Sequence, residues 1–379
     1  MFCNVDSLGL LLQKEKFRKH FTIICGMENG GMETKMIKFY NLVKALFEDE
    51  INEDEQKKII EEIKSCDIVK ELLPYLFHHR LICLFYSFMV SNNMVPVLTK
   101  ESWRIITKNI IYEKLKSEEY FIEVKTLCKE LNKKNIKYAL VKGIHLESFL
   151  YEKKDGLIRR CFNDIDLLVE KKDIKFVSNI LEGLGYFKGE FSPELNELIK
   201  YSREEDIKFL MISHQSAPYI KHSSFENICK GDSLNIDINF SIFDGGNKED
   251  LISTRELLKN RVKRKTIYGN IYYSLNLTHD LLQLVYHLYK DTKYEIKKTN
   301  NEQFLLYNFI DIYRFIKSNG DYIDWNYFCS LVKNANVVTE FNCLFKYIAN
   351  WCSNKFIDVF IKWADEFVNS EKKESVYTS

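Results

Sequence analysis

The chain has 379 residues, 46% hydrophobic and 29% charged, and its 55 Lys and Arg against 54 Asp and Glu leave a net charge of +1. That length allows a large core in two or three modules, while the even charge supplies no overall field to draw in a nucleic acid, so none is expected as a partner. The 10 cysteines show no C-x-x-C pair and no zinc spacing, which argues against a disulfide framework and for reduced thiols in a cytoplasmic protein.

Leu8 to Leu12 is too short an apolar run for an export signal, and no stretch reaches the ~18 apolar residues of a membrane span. Gly26-Met27 and Gly30-Gly31-Met32 read as a connection, so residues before about Glu33 are expected to pack separately. Helices are predicted over Met36 to Phe47, Glu53 to Ser65, Ile68 to Phe77, His79 to Val90 and Glu101 to Leu131. The last is long enough to pack along a sheet, with Ile105, Ile106, Ile110, Ile111 and Leu115 at helical spacing. A helix lying on a membrane surface is the competing reading of that stripe. The abundant aromatics, 22 Tyr and 27 Phe, are assigned to packing.

Lys137 to Val141 predicts a short strand, Lys142-Gly143 a tight turn, and Ile144 to Tyr151 a helix. A glycine there lets backbone N–H groups approach an anion, the helix dipole favours phosphate, and Lys142 adds a mobile cation. An ordinary strand-to-helix connection explains the same residues equally well. About twenty residues on, Cys161 to Val169 reads as a buried strand carrying Asp164 and Asp166. A period of two sends both carboxylates to one face and Ile165, Leu167 and Val169 to the other. At roughly 6 Å and an effective dielectric of about 20 the pair repels by on the order of 3 kcal/mol, which a divalent cation reverses. Oxygen-only ligands suit Mg²⁺ or Mn²⁺ and hence a nucleoside triphosphate; the alternative is a pair that ends an edge strand and faces solvent.

Asp173 opens a helix that ends near Gly183-Leu184-Gly185-Tyr186. Leu234 to Ile242 alternates strictly, with Leu234, Ile236, Ile238, Phe240 and Ile242 on one face and Asn235, Asp237, Asn239 and Ser241 on the other. Asp237 could join the first pair as a third carboxylate, a set able to hold two Mg²⁺ ions; a polar outer face is the other reading. Gly245-Gly246-Asn247 marks a turn, and Lys259 to Lys265 is basic, with Arg261, Lys263, Arg264 and Lys265 reaching either a phosphate or solvent. Ile267 to Ser274 adds a strand. Thr278 is read as an N-cap, followed by helices over Asp280 to Tyr289, Glu302 to Lys317, Trp325 to Lys333 and Thr339 to Trp351. His287 is assigned to the core without an acidic partner, and the tail beyond Phe367 is expected to fray.

The order Val141-Lys142-Gly143, Tyr151, Arg160 and then Asp164-Ile165-Asp166-Leu167-Leu168-Val169 resembles the signature of the uncharacterised nucleotidyltransferases within the polymerase-β-like superfamily. The resemblance runs from about Leu73 to Cys352, with Asp237-Ile238-Asn239-Phe240 where the family usually has Asp-Leu-His-Trp. It implies an α+β protein with a nucleotidyltransferase-type mixed β-sheet core flanked by N- and C-terminal helical regions, divided at 1–133, 134–276 and 277–379. It further implies Asp164, Asp166 and Asp237 as catalytic metal ligands, and Lys142, Gly143 and Arg160 as nucleotide-binding residues. Arg159 competes with Arg160 for that role. Three departures stand out: Lys142-Gly143 replaces the Gly-Gly or Gly-Ser usual in the superfamily, Cys161 replaces a common proline, and Asn239 replaces a histidine and cannot shuttle a proton.

The implied reaction is Mg²⁺- or Mn²⁺-dependent transfer of a nucleoside monophosphate, AMP from ATP first, to a hydroxyl or other nucleophile of a small molecule, peptide or protein. The link of relatives to peptide natural-product pathways adds a peptide or small-molecule acceptor. Two alternatives stay open: a catalytically silent module of the same fold that binds a peptide or partner, and a toxin–antitoxin transferase.

Overall fold

A computed structural model describes residues 39–377, apart from 49, 152–154, 193, 196, 213–214, 225–232, 244–251, 267 and 299–304. The glycine connection at 26–32, the turn at 245–247 and the starts of the helices expected from Met36 and Glu302 therefore lie outside the described residues. The described chain divides into two compact units, Leu81–Gln283 and the pairing of 39–80 with 284–377.

The second of these is all helix. Its N-terminal part holds α1 (Tyr40–Glu48), α2 (Glu53–Lys64) and α3 (Leu73–His78). Asn52 starts α2 as a capping box, accepting from the N–H groups of Asp54 and Glu55 while the Glu55 carboxylate accepts from its own N–H. One π-helical turn, Ile68–Leu72, precedes α3 where the sequence predicts a single helix.

The unit Leu81–Gln283 opens with α4 (Ile82–Ser91) and the 34-residue α5 (Lys100–Lys133). There follow β1 (Tyr138–Val141), α6 (Gly143–Phe149), β2 (Ile165–Val169), α7 (Ile174–Gly183), β3 (Phe187–Ser192), β4 (Glu197–Lys200), α8 (Arg203–Ile212), β5 (Tyr219–His222) and β6 (Ser233–Asn239). α9 (Thr254–Lys259), β7 (Val262–Lys265), β8 (Ile271–Ser274) and the first turns of α10 (Leu277–Lys298) complete it. Six strands form one mixed sheet in the order β1-β2-β6-β5-β3-β4, and β7 with β8 makes a separate hairpin.

One face of α5 drives the assembly. Tyr120, Phe121, Val124, Leu127, Cys128 and Leu131 recur at helical spacing and share a core with Leu140, Ile165, Leu167, Ile236 and Ile238 from the sheet. This is the scaffold role, but the sheet is met further along the helix than predicted: of the expected stripe Ile106 and Ile110 are buried outside this core, Ile105 and Leu115 are half-buried, and Ile111 stays 62% exposed. Among the described residues no helix is long and apolar enough to cross a membrane.

β6 ends at Asn239, three residues short of the predicted strand, and the chain turns away at Ser241, whose hydroxyl accepts from the Phe243 N–H at 3.0 Å. The basic run 259–265 forms half of a hairpin, with Arg261 against the Tyr273 ring and Arg264 against Phe149. Only Lys263 and Lys265 of the four cations face solvent. Asn276, two residues before the predicted position, caps α10, because its Oδ1 accepts from the His279 N–H at 2.9 Å.

The C-terminal helices of the other unit are α11 (Leu306–Asn319), α12 (Trp325–Asn334), α13 (Val338–Ala349) and α14 (Lys355–Tyr377). α11 grips the end of α1: Arg314 donates to the Leu46 carbonyl at 2.6 Å, and Tyr313 and Lys317 reach the Glu48 carboxylate, each at 2.6 Å. Phe328, Phe345 and Phe360 form an aromatic centre among α12, α13 and α14. α14 continues past Phe367 to Tyr377, where the sequence predicts fraying, Glu and Lys being good helix formers. His287 does have an acidic partner, Asp291 one turn on, at 3.2 Å.

Candidate functional site

β1 and β2 run antiparallel with Val141 opposite Asp166, and β2 and β6 run parallel with Asp166 opposite Asp237. In-register residues on adjoining strands share a face, so the ladder itself sets two carboxylates side by side. It also delivers Lys142, the residue after Val141, to the same place.

Asp164 precedes the first residue of β2, and its position is fixed from behind. The Tyr120 hydroxyl donates to the Asn163 carbonyl at 2.5 Å and accepts from the Asn235 N–H at 3.1 Å, so one buried phenol on α5 ties the lead-in of β2 to β6. The Asn163 side chain accepts from Lys116 at 2.7 Å, and its carbonyl also accepts from the Asn235 amide at 3.3 Å. Tyr120 lies on the apolar face of a long helix, and nothing in its spacing separates it from aromatics that only pack.

Lys142 is the N-cap of α6 with φ 53° and ψ −132°, a conformation glycine accepts and lysine adopts at a cost of about 1–3 kcal/mol. The backbone by itself therefore favours glycine at this position. Lys142 Nζ sits 2.7 Å from Asp166 Oδ1. Burial alone lowers the affinity of this amine for its proton, but Asp166, Asp164 and Asp237 together outweigh burial and hold it charged above the ordinary lysine range. The Asn239 amide donates to the same Asp166 oxygen at 3.2 Å.

Gly143 is needed for space. A Cβ there would meet the Phe162 Cβ at 3.0 Å, tighter than most real side chains settle, and Arg160 Nη1 at 3.4 Å. The Arg160 guanidinium therefore stands against the turn. Arg159, by contrast, is held by both oxygens of Asp155 and by the Leu157 carbonyl at 3.1 Å. Of the two arginines only Arg160 is placed beside Lys142-Gly143. α6 itself has seven residues.

Two buried groups on α6 escape a reading by motif. Burial pushes the Glu147 carboxyl up to about 8, against the pull of Arg160 and Arg159, so it is largely protonated at neutral pH. His145 lies between the Tyr272 hydroxyl at 3.0 Å and Asp280 Oδ2 at 3.1 Å, joining α6 to β8 and α10. Burial raises the Asp280 carboxyl, while His145 and Arg264 oppose that rise. The residues are separated by more than 120 positions, so no local pattern announces the contact.

The donor chemistry of Asp164, Asp166 and Asp237 suits a hard divalent cation. As they stand, however, no three His, Cys, Asp or Glu side chains among the described residues make a ready metal cage. The cation in contact with Asp166 is the Lys142 ammonium. A cavity of about 660 Å³ lies elsewhere, between the end of α5 and α7, lined by Glu130, Ile136, Phe176, Ile180 and Leu184 among others. None of the predicted site residues faces it. The described cysteines are all free thiols.

The sequence model of a family described as Uncharacterised nucleotidyltransferase covers residues 67–353, more than half of the chain and all of the site. Curated proteins give no match.

Proposed function

We propose that this chain, which belongs to the uncharacterised nucleotidyltransferase family, transfers a nucleoside monophosphate, AMP from ATP in the first instance, to a hydroxyl or other nucleophile on a small molecule, peptide or protein. The family supports the general transferase role, with a nucleoside triphosphate as donor. The observation that carries the finer reading is the register of β2 and β6, which makes Asp166 and Asp237 neighbours with Lys142 over them.

Asp164, Asp166 and Asp237 would hold Mg²⁺ or Mn²⁺. When bound, such an ion offsets the charge of the triphosphate and lowers the pKa of an attacking hydroxyl. Arg160 and Lys142 are the cations placed to neutralise phosphate oxygens at the turn, Arg160 through a planar fork. Asp237, less buried than Asp166, is the group to take the acceptor's proton. The acceptor oxygen bonds to the α-phosphorus, the bond to the β-phosphate breaks, and pyrophosphate leaves. Catalysis of this kind is mostly positioning and charge neutralisation. The cytoplasm, where free thiols persist, is the compartment we assign.

A panel of labelled nucleoside triphosphates incubated with the protein, Mg²⁺ and cell extract tests the reading. Label should pass to an acceptor, and D166N or D237N should abolish it; transfer that survives both substitutions would sink the assignment. The silent binding module is the second reading, favoured by the lysine that occupies Asp166. It predicts no metal-dependent heat of ATP binding by calorimetry in either the parent or D164A/D166A.

A further inference from the structure

Lys142 does more in this structure than line a phosphate turn. Its backbone takes a conformation suited to glycine, and its side chain, instead of reaching for solvent, ends 2.7 Å from Asp166 Oδ1 with only 15% of its surface exposed. All three carboxylates act on that one ammonium, and Asn239 shares the same oxygen. Asp166 and Asp237 on adjoining strands and Asp164 just ahead of β2 repel one another, and the lysine lowers that repulsion at Asp166. A divalent ion bound at Asp166 would lie close to the ammonium, and like charges at such a distance in a half-buried site repel strongly.

We infer that Lys142 is an exchangeable counter-cation of the carboxylate site: it occupies Asp166 until a divalent ion arrives, and is released to the phosphates of the nucleotide that comes with that ion. This deepens the proposed function and rests on it. Exchange couples the two ligands. Metal alone must leave the ammonium with no partner, so it binds weakly. Metal with a triphosphate gives the ammonium a new anion, so each ligand raises the affinity for the other.

Mn²⁺ titrated into the full chain and followed by electron paramagnetic resonance or calorimetry tests this, with and without a non-hydrolysable ATP analogue. K142M should bind Mn²⁺ at least tenfold more tightly than the parent without nucleotide, and should lose most of the gain that the analogue brings to the parent. K142G guards against a folding artefact, since glycine is at ease at φ 53°, and it should behave as K142M does. If both variants bind Mn²⁺ no better than the parent while D166N abolishes the parent's binding, the metal site stands and the exchange is refuted. If D166N leaves Mn²⁺ binding untouched, or no form binds Mn²⁺ even with the analogue, the carboxylate site itself fails and the exchange fails with it.

Discussion

Strands β1, β2 and β6 and strands β5, β3 and β4 are two halves of one sheet, and they treat charge in opposite ways. In the first half β1 and β2 are buried along their whole length. The Asp166 carboxylate there is met by Lys142 and Asn239, because an unpaired charge in such surroundings is costly. In the second half β4 is almost wholly exposed and β3 is mostly half-buried. Its charges, such as the Lys188–Asp206 pair at 2.7 Å and Glu190 accepting from the Tyr201 hydroxyl, sit at the margin where solvent shares the work. An acid in the inner half therefore demands a reason, and an acid in the outer half does not.

The largest effect should separate the halves by activity. D166N or D237N is expected to lower nucleotidyl transfer by about 10³-fold, whereas E197Q on β4 should leave it unchanged; pyrophosphate release measures both. Equal effects would erase the distinction.

Next comes pH. Glu147 ionises at about 8 in the folded protein because it is buried, against an ordinary 4.5. Between those values the folded chain keeps a proton that the unfolded chain has lost, so this residue costs stability progressively as pH rises from 4.5 to 8. E147Q removes that cost. It should match the parent below pH 4.5 and exceed it by on the order of 5 kcal/mol above pH 8 in denaturant titrations. A constant offset across the range would refute the assignment.

The outer half has its own tight point. A Cβ on Gly189 would lie 2.1 Å from the Ile199 carbonyl oxygen, so G189A must push β4 off β3. A loss of about 1–3 kcal/mol is expected in thermal unfolding, with transfer retained wherever the protein stays folded. Smallest should be Y120F, which removes the hydroxyl between Asn163 and Asn235 at a cost of about 1–2 kcal/mol. Its signature is a fall in kcat out of proportion to that loss, because Asp164 follows the freed carbonyl; an unchanged kcat would reduce Tyr120 to packing.

The same contrast explains what could be read in advance. β1, β2 and β6 stand out in the sequence as Tyr138 to Val141, Ile165 to Val169 and Leu234 to Ile238, since burial on both faces, or strict alternation, leaves a hydrophobic imprint. β3, β4 and β5 left none. Phe187-Lys188-Gly189-Glu190 and Tyr219-Ile220-Lys221-His222 are short, mixed in polarity and held by pairing rather than by pattern. The hairpin of β7 and β8 was hidden for a related reason: a run of Arg and Lys looks like surface, and only folding lays Arg264 on Phe149 and Arg261 on Tyr273.

By itself the sequence determined the mixed α and β character, the long scaffold helix, the glycine after β1 and the spacing of Asp164 and Asp166. All of these are local, set by a period of two or 3.6 residues or by the conformational freedom of one residue type. Tertiary structure alone decided that Asp237 lies opposite Asp166, that Arg160 rather than Arg159 reaches the turn, and that Tyr120, His145 and Asp280 tie distant segments together. It also decided that the cation in contact with Asp166 is Lys142. Those pairings depend on strand register and on which face of a helix meets the sheet, and a one-residue slip in either would change every partner without changing the pattern that any single segment shows.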